Sequence, residues 1–145
     1  MDFENLKVYQ KAKVFFHDIR ENVIELNQID KVTKDQLRRA AMSISLNIAE
    51  GCSRFSKKDR RNFLVISRGS VYEVAAIFDL LEPGVLHEEK IKKYKSAAEE
   101  ISKMLFAMIR KLEFWNTLLI YIIVTPLPPS AIMNDLSFRI PKNEF

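Results

Sequence analysis

Apolar residues recur along most of this chain at alternating steps of four and three, the spacing that lays a single stripe along an α-helix. Val8, Ala12, Phe15, Ile19, Val23 and Leu26 make the first stripe and predict a helix over Leu6 to Leu26. Asn27 to Thr33 is polar and reads as a loop. Leu37, Ala41, Ile44 and Ile48 repeat the spacing as far as Gly51, a natural C-terminal stop, and define a second helix. Ser56, with Asp59 three residues on, resembles a capping box. It opens a third helix that carries Phe63, Ser70, Val74, Ile77 and Leu81 on one side and is halted by Pro83-Gly84. Glu88 and Glu89 then stand where a helix dipole favours acids. Ile91, Tyr94, Ala98, Ile101, Leu105, Met108 and Leu112 follow in heptad rhythm and give the cleanest helix of the four.

None of these helices can bury its stripe alone, and short connections favour antiparallel neighbours. The expected fold is all-α, an antiparallel up-down four-helix bundle over residues 3–113 with a non-bundle C-terminal tail over 114–145. Phe15, Phe16, Phe63 and Phe78 read as packing residues. The tail contains the apolar run Leu118 to Val124, followed by Pro126, Pro128 and Pro129. Counted from Phe114 the run has 11 residues, about 16 Å as a helix against a hydrocarbon core of about 30 Å, so no membrane partner is expected. Its β-branched residues suit a strand or an extension of the fourth helix. Such a run would pack on the bundle, join a subunit interface or promote aggregation. Ser130 to Phe145 has no period and reads as extended or poorly ordered.

Composition narrows the class. The 145 residues are 48% apolar and 29% charged with three glycines, which excludes a disordered chain and disfavours an all-β fold rich in tight turns. Cys52 is the single cysteine, so no disulfide forms within the chain and a reducing compartment fits. Met1 to Lys7 carries two acids before its first base and shows no secretion signal. The formal net charge is +4, yet Lys31 to Arg68 alone holds ten bases against three acids, or +7. Such clustering suits a phosphate backbone or another acidic surface, and it also suits a solvated helix face.

Little points to catalysis. No phosphate-cradling glycine loop, paired-histidine zinc motif or serine elbow is present, and His17 and His87 fall on different elements, so neither a metal nor a cofactor is expected. Arg54 close to Cys52 could lower its thiol pKa, although a small half-buried residue is the plainer reading. On the second helix Arg39, Ser43, Asn47 and Glu50 fall within about 80° of one another, away from the apolar stripe. That row can be a hydrogen-bonded helix contact, a subunit interface or a recognition groove. On the third helix Arg61 and Arg68 lie one heptad apart, and Gly69 and Ser70 remove bulk where a backbone could approach. Glu73 is placed to pair with a base from the second helix.

The run Leu37-Arg38-Arg39-Ala40-Ala41-Met42-Ser43-Ile44-Ser45-Leu46-Asn47-Ile48-Ala49-Glu50-Gly51, then Phe63, then Arg68-Gly69-Ser70-Val71-Tyr72-Glu73, closely resembles the four-helix-bundle 23S rRNA intervening sequence proteins, the S23 family. The opening Phe3 to Ala12 is similar to that family's usual start. Ser45 departs from the family's usual proline, implying a weaker mid-helix kink, and Cys52-Ser53 stand where an aromatic and a glycine are common. The resemblance implies a bacterial, cytoplasmic, non-catalytic bundle that forms homopentameric rings. It extends to the accessory variability proteins of diversity-generating retroelements, which bind a reverse transcriptase and nucleic acid through a basic surface. By position Arg38, Arg39, Asn47, Glu50 and Arg68 match motif residues, and Arg54, Lys57, Lys58, Arg60 and Arg61 add local charge. The expected function is RNA or DNA binding by these eight bases of a homo-oligomer. Ser43, Asn47, Glu50, Gly51, Gly69, Ser70 and Glu73 are the candidate interface or motif residues. No aromatic platform interleaves the basic run, so contact with the phosphate backbone rather than base readout is expected. The alternative is a structural or adaptor bundle that binds a protein partner such as a reverse transcriptase.

Overall fold

The computed structural model describes residues 2–124 of the chain, with side chains as far as residue 113. A 3-10 turn, Asp2–Asn5, leads into α1, Lys7–Ile19, which continues as a π-helical turn, Arg20–Ile24. Then come α2, Lys31–Ser53, α3, Lys57–Leu80, and α4, Glu88–Val124. Among the described residues there is no strand, and the fold is all-α as the periodicity predicts. The chain divides into two compact units, Met1–Leu112 and Glu113–Phe145. The first unit holds the four packed helices. In the second, the apolar run is helical through Val124, the last turns of α4. The expectation for Ser130 to Phe145 lies outside the described residues.

Antiparallel order can be read from single contacts. Gln36, Ser43 and Gly51 of α2 meet Glu73, Ser70 and Phe63 of α3 in turn. Arg68 and Asp79 of α3 meet Ser102 and Lys95 of α4. Lys11 and Asp18 of α1 meet Glu100 and Lys93 of α4. With α1 packed on α2, consecutive helices are neighbours all the way round. The core they enclose includes Ile19, Leu37, Ile44, Ile48, Leu64, Val71, Val74, Ile101 and Leu105, all fully buried, each worth about 1.5–3 kcal/mol by removal from water. Phe78 stacks on Tyr94 with ring centroids 5.0 Å apart, and Phe15 meets Tyr94 edge-on at 6.3 Å. Phe16 and Phe63 are only half-buried.

Four boundaries differ from the sequence reading, each for a local reason. The first helix is not one regular α-helix: past Ile19 it continues as a π turn in which Val23 and Ile24 are both buried. A π turn brings residues five apart into line, setting Ile24 under Ile19. The second helix starts at Lys31, inside the expected loop, because the Asp30 carboxylate accepts the Thr33 backbone N–H at 3.0 Å and caps it. It also runs past Gly51 to Ser53. Gly51 is therefore no terminator. A Cβ there would stand 3.2 Å from the Phe63 Cβ and 3.4 Å from the Arg60 carbonyl oxygen, so this glycine is what lets α2 and α3 converge. The third helix ends at Leu80, ahead of Pro83, and Gly84 takes the left-handed conformation at φ +89.

Candidate nucleic-acid interface

The turn between α2 and α3 is three residues long, Arg54 to Ser56, and both ends are pinned. The Arg54 backbone N–H donates to the Gly51 carbonyl at 3.2 Å. The Arg54 guanidinium pairs with Glu50 and lies over the Phe63 ring, 4.6 Å from its centroid. Ser56 Oγ accepts the Asp59 backbone N–H at 3.0 Å, the cap that its spacing predicts. Between these anchors Phe55 is completely exposed, at 107% of its reference area. Lys57 and Lys58 follow as the first two residues of α3, both exposed, and Arg61 is half-buried one turn later.

The remaining candidate bases divide by role. Arg60 reaches back to the end of α2, donating to the Gly51 and Cys52 carbonyls at 3.3 and 3.4 Å, so its first task is to cap a helix. Arg68 lies in the α3–α4 seam, donating to Ser102 Oγ at 3.1 Å and to Tyr72 OH at 2.9 Å. Its guanidinium sits 5.1 Å from the ring centroids of both Tyr72 and Phe106. Arg38 makes an exposed contact of 3.4 Å with Asp35, a pair worth little in water. Arg39 is exposed on the outer face of α2. Arg38, with Lys31 and Lys34, lies toward the opposite end of α2, whose 23 residues rise about 34 Å. The basic stretch is contiguous in sequence and divided in space.

The polar row of α2 is turned mostly to internal use. Ser43 and Ser70 hydroxyls share a hydrogen bond of 2.8 Å across the α2–α3 seam. Asn47 Nδ2 donates to the Ser43 carbonyl and hydroxyl at 2.8 and 2.9 Å. Ser67, fully buried, donates to the Ile44 carbonyl at 2.9 Å. Glu73 accepts from Gln36 Nε2 at 3.0 Å, so its partner on α2 is an amide and not the expected base. Gly69 is exposed, and a Cβ on it would meet nothing within 4 Å. The close backbone approach expected there occurs instead at Gly51. Cys52 is not activated: burial pushes its thiol up, with Arg60 pulling the other way.

Two features of this end of the bundle escaped the sequence reading. The Arg68–Ser102 contact sets the register of α3 against α4 and brings Arg110 level with Arg61, so α4 adds Arg110 and Lys111 to the same end. Phe55 was also overlooked, although an apolar residue in a short polar turn is itself a signal. Among the described residues no cluster of three or more His, Cys, Asp or Glu is placed to hold a metal, and no helix is long and apolar enough to cross a membrane.

A family model described as the 23S rRNA-intervening sequence protein matches residues 4–107. The chain belongs to this family. A solved structure, of a protein of unknown function from the S23 ribosomal protein family of Bacteroides thetaiotaomicron, is 26% identical with a TM-score of 0.66, over 70% of this chain and 97% of that one. No curated protein matches. Several residues that carry the S23 resemblance thus have physical roles here: Asn47, Ser43 and Ser70 lock the α2–α3 seam, Gly51 sets its closeness, and Arg68 ties α3 to α4.

Proposed function

We propose that this S23-family chain is a non-catalytic nucleic-acid-associated protein of the cytoplasm, binding RNA in the first instance through the basic end of the bundle at the α2–α3 turn, as a homo-oligomer. The observation that carries this is the placement of Lys57 and Lys58. They occupy the first turn of α3, where the helix dipole is already positive and bases are unfavourable by about 0.3–1 kcal/mol each. The helix dipole alone argues against two lysines there. An anionic partner reverses the sign, because the dipole, the lysines and Arg61 all attract phosphate together.

Assembly is supported by a different surface. Leu46 on α2, Ile66 and Tyr72 on α3 and Phe106 on α4 are about half exposed or more, at 57%, 52%, 57% and 49%. Met42 and Val65 extend the set, and Gly69 leaves open space among them. A second copy of the chain covering these residues accounts for their exposure, and the S23 resemblance implies five copies in a ring. The same surface supports the adaptor reading, in which a protein partner such as a reverse transcriptase occupies it. Binding of purified protein to a labelled structured RNA and to an unrelated duplex, across a salt series with light scattering on the same sample, separates the two. Salt-sensitive binding by a defined oligomer is the expected result. A well-formed oligomer that binds neither at low salt overturns the nucleic-acid role and leaves the adaptor.

A further inference from the structure

We infer that Phe55 is a stacking platform for an unpaired nucleobase, so that the basic end of the bundle selects single-stranded over duplex nucleic acid. The inference rests on the nucleic-acid reading above and adds what that surface discriminates. Phe55 is fully exposed at the apex of the α2–α3 turn, and it packs on nothing that would explain an aromatic there. Its backbone is held on both sides, by the Arg54 N–H to Gly51 bond and by the Ser56 cap. The ring is thus presented from a fixed base and not from a loose loop, and little ordering is needed on binding. Lys57 and Lys58 follow directly and are exposed, giving phosphates a place to lie while the adjoining base covers the ring.

Charge complementarity selects the occupant. An apolar surface of a protein partner would have to bury Phe55 beside the exposed, cationic Lys57 and Lys58, a setting that disfavours an apolar occupant. A single strand offers both needs at a spacing of one nucleotide: a planar base for the ring and a phosphate for each lysine. A duplex offers phosphates alone, since its bases are already stacked. Arg54 takes no part, because its guanidinium is engaged by Glu50 and Phe63.

The test compares wild type, F55A and F55W on three RNAs of equal phosphate number: an unstructured single strand, a fully paired duplex of half its length, and a single strand carrying abasic sites. Base stacking of this kind is worth roughly a tenfold change in affinity or more. Wild type is expected to prefer the single-stranded RNA by about that factor. F55A should lose that preference while holding the duplex and abasic strand unchanged, and F55W should retain it. If F55A binds all three like wild type, the stacking role fails while the basic surface stands. If wild type binds none of them, the nucleic-acid reading itself fails and the inference with it. If F55A instead lowers the oligomeric mass in light scattering, Phe55 is an assembly contact and the inference is overturned.

Discussion

Gly51 and Gly69 sit on facing helices and look alike in sequence, yet alanine should act in opposite directions at the two. At Gly51 the added methyl would stand 3.2 Å from the Phe63 Cβ and 3.4 Å from the Arg60 carbonyl oxygen, against a comfortable separation of about 3.5–4.0 Å. Neither neighbour can rotate away, because one is a Cβ and the other is backbone. The N-terminal turns of α3 must therefore retreat by several tenths of an ångström. Overpacking of this kind costs about 1–3 kcal/mol, while replacing a mid-helix glycine returns about 0.8–1 kcal/mol of helix propensity. The expected net effect of G51A is a loss of about 1 kcal/mol. At Gly69 nothing lies within 4 Å, so G69A should keep the full gain of about 0.8–1 kcal/mol. Urea titrations should thus separate the two variants by about 2 kcal/mol in midpoint-derived stability at unchanged slope. A G51A protein as stable as G69A would refute the account of how α2 and α3 converge.

Tyr94 supplies a pH prediction: burial, reinforced by the negative charge of Asp18, pushes its phenol up to about 12. A raised pKa means that the folded state favours the neutral phenol. Its contribution is full below the ordinary tyrosine value of about 10 and is lost as pH rises toward 12. Urea midpoints should fall across that window in wild type and more shallowly in Y94F, and equal slopes would contradict the assignment. R68A should cost about 1–3 kcal/mol, since it removes the Ser102 and Tyr72 hydrogen bonds and two ring contacts. R68K should recover less than half, because an ammonium lacks the planar fork. Near-complete rescue by lysine in thermal or urea melts would show that charge alone matters there. I66E should halve or abolish assembly as seen by light scattering while leaving helical circular dichroism intact, and an unchanged mass would remove that residue from the interface.

The helices were legible because each stripe is a local period and the core is large enough to reward it. Val8, Ala12, Phe15 and Ile19 needed no knowledge of their partners. What was not legible depended on register between helices. Gly51 at the end of a stripe looks the same whether it stops a helix or admits a neighbour, and only Phe63 opposite it decides. Glu73 could be assigned a base only in ignorance of the level at which α3 meets α2, and that level puts Gln36 beside it. The charge map misled in the same way. Ten bases close together in sequence became spread along the length of α2 and α3, with Arg60 and Arg68 drawn into structural work. The π turn after Ile19 left no trace in the apolar spacing, since adjacent buried pairs such as Val23 and Ile24 also occur in the regular helices, as Ala40 and Ala41 do in α2.

This spread of the bases along α2 and α3 provides the most direct test of the proposed function. Two triple variants, K57A/K58A/R61A at the α2–α3 turn and K31A/K34A/R38A at the far end of α2, remove the same charge from the same chain. Affinity for a single-stranded RNA is then followed as a function of salt, with each phosphate contact contributing about 0.7 to the logarithmic slope. The first variant should flatten the slope by about 2 and weaken binding at low salt, and the second should leave the slope near that of wild type. Equal losses in both would mean that only net charge matters, and a loss confined to the second would place the interface at the wrong end of the bundle.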